Sequence, residues 1–109
     1  MPTRKTEVTD NILNIIKKIP FGKVATYGQI GLMAGSPFYA RQVAWILHSL
    51  SKKENLPWHR VINNKGEISL KQGHGFEKQK LLLKKEGIKF NKNNRIDLVN
   101  YLWNPCPDL

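Results

Sequence analysis

The chain has 109 residues, 40% of them hydrophobic, and its 18 Lys and Arg against 8 Asp and Glu give a formal net charge of +10. This length leaves room for one small core, and no apolar run reaches the roughly 20 residues of a membrane span or forms a secretory signal at the start. We therefore expect one intracellular domain without a membrane partner, and the positive charge favours nucleic acid as its partner over a basic surface that serves solubility alone.

Apolar residues first recur at helical spacing close to the start of the chain. The pattern consists of Val8, Ile12, Ile15, Ile16 and Ile19. It predicts an amphipathic helix over about 7–18, and Pro20 and Gly22 would terminate it. One face of this helix is expected to contribute to the core.

Two capping signals then predict a pair of helices. Thr26 and Gln29 fit a capping box, so a short helix is expected to run from there to about Ala34. Gly35 would end it, and Ser36-Pro37 is typical of the start of the next helix. Two helices joined by a tight turn that contains glycine indicate a helix-turn-helix.

The second of these helices, predicted over 37–50, has two distinct faces. Its apolar stripe consists of Val43, Ile46, Leu47 and Leu50. The opposite face carries Arg41, Gln42, Trp45 and His48, with Ala40 and Ala44 along its edge. An exposed tryptophan beside an arginine favours a contact surface over an ordinary solvated face, and the small alanines would allow a partner to approach closely.

The second half of the chain predicts a small β element and a third helix. Val61-Ile62 and Glu67-Ile68 flank the turn-forming segment 63–66, which indicates a β-hairpin or wing after the polar connector 51–55. An amphipathic helix is expected over 76–86, with Leu82 and Leu83 inside and Gly87 as its stop, whereas 88–103 has no clear pattern. The predicted fold is thus mostly α with a small β-hairpin or wing, similar to a winged helix-turn-helix.

Cysteine and histidine are too sparse to suggest a metal site. Cys106 is the only cysteine, which excludes an intramolecular disulfide and a cysteine-based zinc centre. His48, His59 and His74 do not have the spacing of metal ligands. We therefore expect neither a metal nor a cofactor.

One motif indicates the function of the chain more specifically than the predicted helices and strands do. Pro57-Trp58-His59-Arg60-Val61 resembles the Pro-Cys-His-Arg-Val signature of the O6-alkylguanine-DNA alkyltransferases, and its tryptophan form resembles the alkyltransferase-like proteins, which lack the acceptor cysteine. Thr26–Gly28, Ala40–Val43 and Glu86-Gly87 extend the resemblance in the same order, from about residue 8 to 103. The resemblance implies a single alkyltransferase-like DNA-binding domain over 1–109, with its core at about 7–103.

Trp58 would then occupy the position of the reactive cysteine. Displacement at an alkyl carbon needs a polarisable anion such as a thiolate, whereas the indole nitrogen has no free lone pair and its N–H only donates. We expect no alkyl transfer, and the resemblance makes His59 and Glu86 a vestigial pair that would activate the missing thiol. Cys106 lies between two prolines near the end of the chain and is expected to be an unreactive thiol.

The resemblance also implies how DNA is held and which residues meet it. The family binds the minor groove, where Arg41 matches the arginine that replaces the flipped nucleotide and Tyr27 matches the tyrosine that crowds the adjacent phosphate. Ala40, Gln42 and Trp45 complete the expected DNA-binding set. The alternatives are a plain phosphate contact for Arg41 and a half-buried structural aromatic for Tyr27.

A pocket for the flipped base is expected around Trp58 and the loop 69–75. Its lining residues would be Tyr27, Pro57, Trp58, Val61, Lys71 and Gln72. By resemblance, the carbonyls of Trp58 and Val61 would accept hydrogen bonds from the guanine exocyclic amine. Lys71 is the nearest match to an arginine that some relatives place over the base, but a lysine ammonium has no flat face to stack.

These residues predict a non-enzymatic sensor that binds O6-alkylguanine in duplex DNA, flips the base and, by resemblance, directs the lesion to nucleotide excision repair proteins. We expect it to act as a monomer in the cytoplasm, on the nucleoid if bacterial, or in the nucleus. Two alternatives stay open. One is a winged-helix regulator that reads a DNA sequence through the helix 37–50, and the other is a residual alkyltransferase that uses Cys106.

Overall fold

The computed structural model describes residues 5–105, and Cys106 lies outside them. The helices are α1 (Lys5–Lys17), α2 (Tyr27–Met33), α3 (Ala40–Glu54), α4 (Phe76–Lys85) and α5 (Leu98–Tyr101), the strands are β1 (Ala25–Thr26) and β2 (Val61–Ile62), and Pro37–Tyr39 and Trp58–Arg60 form 3-10 turns. The predicted class, mostly α with a small β component, is confirmed. Within the described range, no helix has both the length and the apolar character needed to cross a membrane.

The first core cluster forms where α1 packs against α2 and α3. Its fully buried members include Ile12 and Ile16 from α1, Ile30 from α2 and Val43 and Ile46 from α3. Burial of each such side chain stabilises the fold by about 1.5–3 kcal/mol. The amphipathic helix predicted over 7–18 is therefore present, at Lys5–Lys17, and its apolar face lies in the core.

The predicted capping signals determine where α2 begins and how it connects to α3. The Gln29 backbone N–H donates to Thr26 Oγ1 at 3.0 Å, and the Thr26 N–H donates to Gln29 Oε1 at 3.3 Å, which completes the capping box. Ser36 Oγ accepts from the Phe38 N–H at 3.1 Å. The Tyr39 N–H bonds to the Ser36 carbonyl three residues back, so this stretch is a 3-10 turn and α3 begins at Ala40 rather than at Pro37.

The end of α3 differs from the prediction. Residues 51–54, which the sequence predicts as a polar connector, form the last turn of the helix. Lys52 and Lys53 lie in this turn, where positive charge favours the carbonyl end of a helix. Asn55 then adopts a left-handed conformation, with φ of 53°, and ends the helix.

The small sheet corrects the predicted hairpin. β1 and β2 pair in parallel, with Ala25 opposite Val61 and Thr26 opposite Ile62. The turn at 63–66 does form, because Asn63 Oδ1 accepts from the N–H groups of Lys65 and Glu67 at 2.9 Å each. Glu67 then forms an antiparallel bridge with Arg95, in a part of the chain that is distant in sequence.

Burial explains this pairing. Val61 and Ile62 are 1% and 0% exposed, so both faces of β2 lie inside the protein. A strand that is buried on both faces pairs in the interior, as parallel strands usually do, whereas a wing hairpin needs one face toward water. β2 also links the two halves of the core, since Val61 belongs to the first cluster and Ile62 to the second.

The second core cluster collects residues from the later part of the chain. It consists of Val24, Ile62, Ile68, Leu83, Ile88 and Ile96. Within α4, Leu83 is fully buried and Leu82 is half-buried. The segment 88–103, which has no sequence pattern, returns to β1: the Val24 N–H donates to the Tyr101 carbonyl at 2.9 Å and the Trp103 N–H donates to the Val24 carbonyl at 2.7 Å.

Candidate nucleic-acid interface

Trp58 lies in the short turn that connects α3 to β2, the strand that links the two core clusters. The turn is closed by two backbone hydrogen bonds, from Arg60 N–H to the Pro57 carbonyl and from Val61 N–H to the Trp58 carbonyl. The Trp58 ring is half-buried and meets the His59 ring edge-on, with centroids 6.1 Å apart and an interplanar angle of 84°. Part of the indole therefore remains accessible, as a pocket wall requires.

The residues after Trp58 form a charged network around Glu86 at the end of α4. His59 Nε2 lies 2.6 Å from Glu86 Oε2, so the predicted pair does form. Arg60 Nε donates to both carboxylate oxygens at 3.0 Å, and the Gly22 N–H donates to Oε1 at 2.8 Å. Arg60 also donates through Nη1 to the Ile19 carbonyl at 2.8 Å. We call Glu86 and these partners the Glu86 network.

The role of Arg60 in this network was not predicted from the sequence. Arg60 stands inside the motif, but only the fold brings its guanidinium to a carboxylate 26 residues away. The side chains of His59, Arg60 and Glu86 are 14%, 17% and 6% exposed. A buried arginine inside an otherwise apolar stretch is a signal for a buried acidic partner, and Glu86 is the acidic residue in the matching block.

The environment of Glu86 keeps it ionised. Burial by itself would raise its pKa, but hydrogen bonds from Arg60, the Gly22 N–H and His59 outweigh burial, and the pKa lies below its ordinary value of 4.5. Through these hydrogen bonds, the carboxylate connects the end of α4 with Gly22, which lies between α1 and β1, and with the Trp58 turn. These contacts hold the Trp58 turn against the end of α4.

Both backbone carbonyls predicted to read the base already have one intramolecular donor. The Trp58 carbonyl accepts from the Val61 N–H, and the Val61 carbonyl accepts from Gln79 Nε2 at 3.0 Å. A carbonyl oxygen has two lone pairs, so one intramolecular donor does not by itself exclude a second hydrogen bond. Val61 as a whole is 1% exposed and its side chain belongs to the core, so only its backbone could line a pocket, and that role stays a prediction.

Tyr27 lies beside the beginning of the loop 69–75. Its half-buried side chain follows the Thr26 cap and lies near the Ser69 side chain. Burial raises the pKa of Tyr27, and the neighbouring Ser69 hydroxyl only partly opposes the shift. Tyr27 and the loop 69–75, which are both predicted to line the pocket, are therefore adjacent in the structure.

Lys71 and Gln72 are exposed farther along the same loop. The loop is closed by hydrogen bonds from the His74 N–H to the Lys71 carbonyl at 2.9 Å and from the Gly73 N–H to Glu77 Oε1 at 3.0 Å. Gln72 lines a shallow groove of about 370 Å³ with residues of α4 and Asn94, and neither Tyr27 nor Trp58 lines that groove. The contribution of Lys71 and Gln72 to a lesion pocket stays a prediction.

The outer face of α3 is exposed as the sequence indicates. Arg41 and His48 are exposed, Trp45 is 60% exposed, and the apolar stripe on the other side packs into the core. Among the described residues, the half-buried Gln42 has a buried carboxamide oxygen without a hydrogen-bond partner, so only its amide nitrogen is available to an outside acceptor. Ala40 is half-buried. That this face contacts DNA stays a prediction.

One exposed aromatic on this side of the molecule was missed. Phe38, in the turn that precedes α3, is 88% exposed and stands three residues before Arg41. Phe38 is thus an exposed aromatic side chain close in sequence to the predicted contact face. The prediction for this face included only residues from Ala40 onward.

Known proteins resemble the chain over most of its length. A family model described as the DNA-binding domain of 6-O-methylguanine DNA methyltransferase matches residues 7–88. A DNA base-flipping protein of Vibrio parahaemolyticus is 48% identical over 94 residues, which cover 86% of this chain and 93% of that protein. Alkyltransferase-like protein 1 of Schizosaccharomyces pombe is 36% identical over 107 residues, which cover 94% and 99%.

The fold agrees with these matches. The crystal structure of S. pombe Atl1 in complex with damaged DNA containing O6-carboxymethylguanine matches with a TM-score of 0.82 at 36% identity, over 94% of this chain and 100% of that chain. A second crystal structure of the S. pombe protein with DNA gives a TM-score of 0.81 at 37% identity, with the same coverage of both chains.

Proposed function

The chain belongs to the family of the 6-O-methylguanine DNA methyltransferase DNA-binding domain, and we propose that it binds O6-alkylated guanine in duplex DNA without repairing it. The observation that carries this proposal is Trp58. The Glu86 network is assembled around the motif, yet an indole stands where alkyl transfer would need a thiolate. The similarity to a DNA base-flipping protein and to an alkyltransferase-like protein supports a role in binding.

Binding would take place from the minor groove, with α3 against the DNA. Arg41 enters the base stack in place of the flipped nucleotide, and its exposure on α3 supports this role. Extrusion of a base costs on the order of a few kcal/mol, and less where alkylation has weakened the pairing, so flipping itself favours the lesion. Ala40, Gln42 and Trp45 complete the contact face.

The flipped base would rest against Trp58. Tyr27 and Pro57, both half-buried, flank this wall, and the carbonyls of Trp58 and Val61 accept from the exocyclic amine with their remaining lone pairs. Lys71, exposed on the loop that begins beside Tyr27, lies over the lesion as a point charge, with Gln72 next to it. Because the Trp58 side chain cannot accept the alkyl group, the complex with damaged DNA persists.

The persistent complex would act as a signal. We propose that it is handed to nucleotide excision repair proteins, and that the protein acts as a monomer where the DNA is, on the nucleoid of a bacterium or in a nucleus. This step rests on the family resemblance and on the chemistry at Trp58, since a protein that cannot remove the alkyl group needs another activity to complete repair.

A binding comparison tests the proposal. Two duplexes that differ only in one O6-methyl group are titrated with the full chain at one stated salt concentration. We expect the lesion duplex to bind at least about tenfold more tightly, equal to about 1.4 kcal/mol. Equal affinity would contradict the sensor and favour a sequence-reading regulator.

A mass measurement tests the absence of transfer. The protein is incubated with excess methylated duplex and its intact mass is recorded. We expect no methyl adduct, whereas a stoichiometric adduct would refute the non-enzymatic proposal and would implicate Cys106, the only cysteine of the chain.

A further inference from the structure

One buried polar atom of α3 has no partner within the part of the chain that the structure describes. The side-chain oxygen of Gln42, Oε1, is buried and accepts no hydrogen bond, although Gln42 as a whole is only half-buried. A buried acceptor without a donor costs free energy, so folded proteins contain few of them. This atom fixes which end of the carboxamide a ligand can meet.

The position of Gln42 on α3 explains why the two ends of its carboxamide differ. Ile46, four residues later, is 1% exposed, whereas Trp45, three residues later, is 60% exposed. Residues three and four apart are neighbours on a helix, so Gln42 stands at the border between the core side of α3 and its exposed face. A side chain at such a border places one end inward and the other outward.

The amide nitrogen is the accessible end of the carboxamide. Nε2 is not buried, and it donates to no other group among residues 5–105. The reversed carboxamide would instead bury a nitrogen with two unpaired hydrogens, and amide N–H groups are left without an acceptor more rarely than carbonyl oxygens are left without a donor. Gln42 therefore presents a donor and no acceptor to a partner on this face of α3.

A donor without an acceptor distinguishes base pairs in the minor groove, where the proposed function places α3. Every base pair presents acceptor atoms there, but a G·C pair also presents the 2-amino group of guanine, which donates. A carboxamide with its oxygen outward would accept from this amine. With Oε1 buried, Gln42 meets the amine with a second donor, and both groups stay unpaired.

We propose that Gln42 makes lesion recognition depend on the neighbouring base pairs: its Nε2 donates to a minor-groove acceptor beside the lesion and favours pairs without a 2-amino group, such as A·T, over G·C. This inference rests on the proposed function and adds a sequence context to the ligand. Consecutive Cα atoms lie about 3.8 Å apart and consecutive base pairs about 3.4 Å apart, so a residue next to Arg41 reaches a pair within about two steps of the flipped nucleotide.

Three kinds of flanking pair separate this role from differences in DNA flexibility. Each duplex carries one O6-methylguanine, and each base pair within two steps of it is set in turn to A·T, G·C or inosine·C, which is a G·C pair without the 2-amino group. We expect the wild-type protein to bind the A·T and inosine·C duplexes about threefold to tenfold more tightly than the G·C duplex at one or two of these positions, as one hydrogen bond gives. All titrations use one salt concentration.

Two variants at the same position locate the source of this preference. Gln42→Met is of similar length but has no donor, so the ratio between inosine·C and G·C should fall to about onefold. Gln42→Glu accepts and cannot donate, so it should bind all duplexes more weakly but prefer G·C, because its carboxylate accepts from the 2-amino group. Damage to the fold alone weakens binding of all duplexes equally and leaves the ratio unchanged.

The ratio between flanking pairs decides the proposal. A wild-type protein that binds inosine·C and G·C duplexes equally at every position overturns it, and this measurement does not depend on how the variants fold. A Gln42→Met protein that keeps the wild-type ratio also overturns it and assigns the preference to the deformability of the DNA. The proposed function fails separately, if the wild-type protein does not distinguish O6-methylguanine from unmodified guanine in any of these contexts.

Discussion

Arg41 is the residue on which base flipping depends most directly in our proposal. It is exposed on α3, in the first turn after a 3-10 turn, and has room to extend away from the protein. If it fills the space left by the extruded nucleotide, Arg41→Ala should weaken binding to an O6-methylguanine duplex by about tenfold to a hundredfold, or about 1.4–2.7 kcal/mol. Titration of labelled duplexes measures the loss.

Arg95→Ala is the matched control for Arg41→Ala. Arg95 is an exposed arginine that pairs with Glu67, so its removal subtracts the same charge outside the α3 face. We expect this control to bind the lesion almost as well as the wild-type protein. If Arg41→Ala weakens binding to undamaged DNA as much as binding to the lesion, Arg41 is a phosphate contact and not the residue that replaces the base.

Trp58→Cys tests whether restoring the nucleophile restores the reaction. We expect weak methyl transfer at most, because the half-buried Trp58 ring meets the His59 ring edge-on, and a cysteine would lose this contact and leave the imidazole less well placed to take the proton from the thiol. Intact-protein mass after single-turnover incubation gives the extent of transfer, with Trp58→Ser as the inactive control. Transfer to completion within minutes would contradict this account of the network.

At the scale of elements, the angle between α2 and α3 depends on one glycine. A Cβ at Gly31 would lie 2.9 Å from the Ala40 nitrogen, 3.1 Å from the Tyr39 carbonyl carbon and 3.2 Å from the Ser36 oxygen, all of them backbone atoms. Gly31→Ala should therefore force the helices apart and lower the free energy of unfolding by about 1–3 kcal/mol. Thermal or denaturant unfolding measures the change.

Gly28→Ala provides the control on the same helix. Apart from its chain neighbours and the backbone of its own helix, no heavy atom of the described residues lies within 4 Å of a Cβ added at Gly28. This substitution should leave stability unchanged or raise it by up to about 1 kcal/mol, because alanine favours a helix over glycine. If both substitutions destabilise the protein equally, the close approach of α2 to the start of α3 is not the reason that position 31 requires glycine.

The junction of α4 with the Trp58 turn should be sensitive to acid. The folded pKa of Glu86 is below its ordinary value of 4.5, so the unfolded chain binds the proton more tightly. The stability that Glu86 contributes is thus complete above about pH 4.5 and is lost as the pH falls through the folded pKa. We expect Glu86→Gln to be less stable than the wild-type protein at pH 6, and the difference to narrow toward pH 3.

Urea unfolding at several pH values tests this expectation. The control is Glu67→Gln, because Glu67 also has a lowered pKa, through its exposed pair with Arg95, but does not join elements of the core. The control should be close to wild type at pH 6. A Glu86→Gln protein whose deficit stays constant from pH 6 to pH 3 would show that the charge of the carboxylate is not what matters.

The elements also show what a sequence alone can predict. α1, the capping box and the start of α3 follow from local signals, the spacing of isoleucines and the pairing of Thr26 with Gln29, and each is present. β1 and β2 have only two residues each, which is too short for an alternating pattern, and their paired residues lie 36 positions apart in the sequence. The sequence therefore does not indicate that these two segments pair. The segment 88–103 attaches through isolated backbone bonds and through widely spaced core side chains such as Ile88 and Ile96, which form no regular period in the sequence.

The residues of the candidate site also divide into those that local sequence signals indicate and those that depend on contacts between distant parts of the chain. Resemblance and local pattern led to Tyr27, Arg41, Trp58 and the His59–Glu86 pair, and the structure forms that pair and places Tyr27 beside the loop 69–75. Gln79 and the role of Arg60 depend on contacts between residues 18 to 41 positions apart. Amphipathic spacing predicts α4, but it does not distinguish a buried glutamine that binds a distant backbone from a solvated one.

At the scale of the whole molecule, the net charge of +10 contributes affinity for any duplex, damaged or not. Each phosphate contact releases a counterion, so the logarithm of the affinity should fall linearly with the logarithm of the salt concentration, with a slope of about −0.9 per contact. In the proposed function, recognition of the flipped base uses hydrogen bonds and stacking without new charge pairs. Lesion and undamaged duplexes should therefore lose affinity in parallel, with a nearly constant ratio between about 50 and 200 mM salt.

The salt slope also distinguishes the two possible roles of Arg41. An arginine that fills the base stack leaves the number of neutralised phosphates unchanged, so Arg41→Ala should lower affinity at every salt concentration with the slope preserved. An arginine that neutralises a phosphate would, when removed, reduce the slope by about one. Fluorescence anisotropy over a salt series measures both quantities on the same samples. A reduced slope together with an unchanged lesion preference would mean that the charge of the molecule, and not replacement of the base, explains what Arg41 contributes.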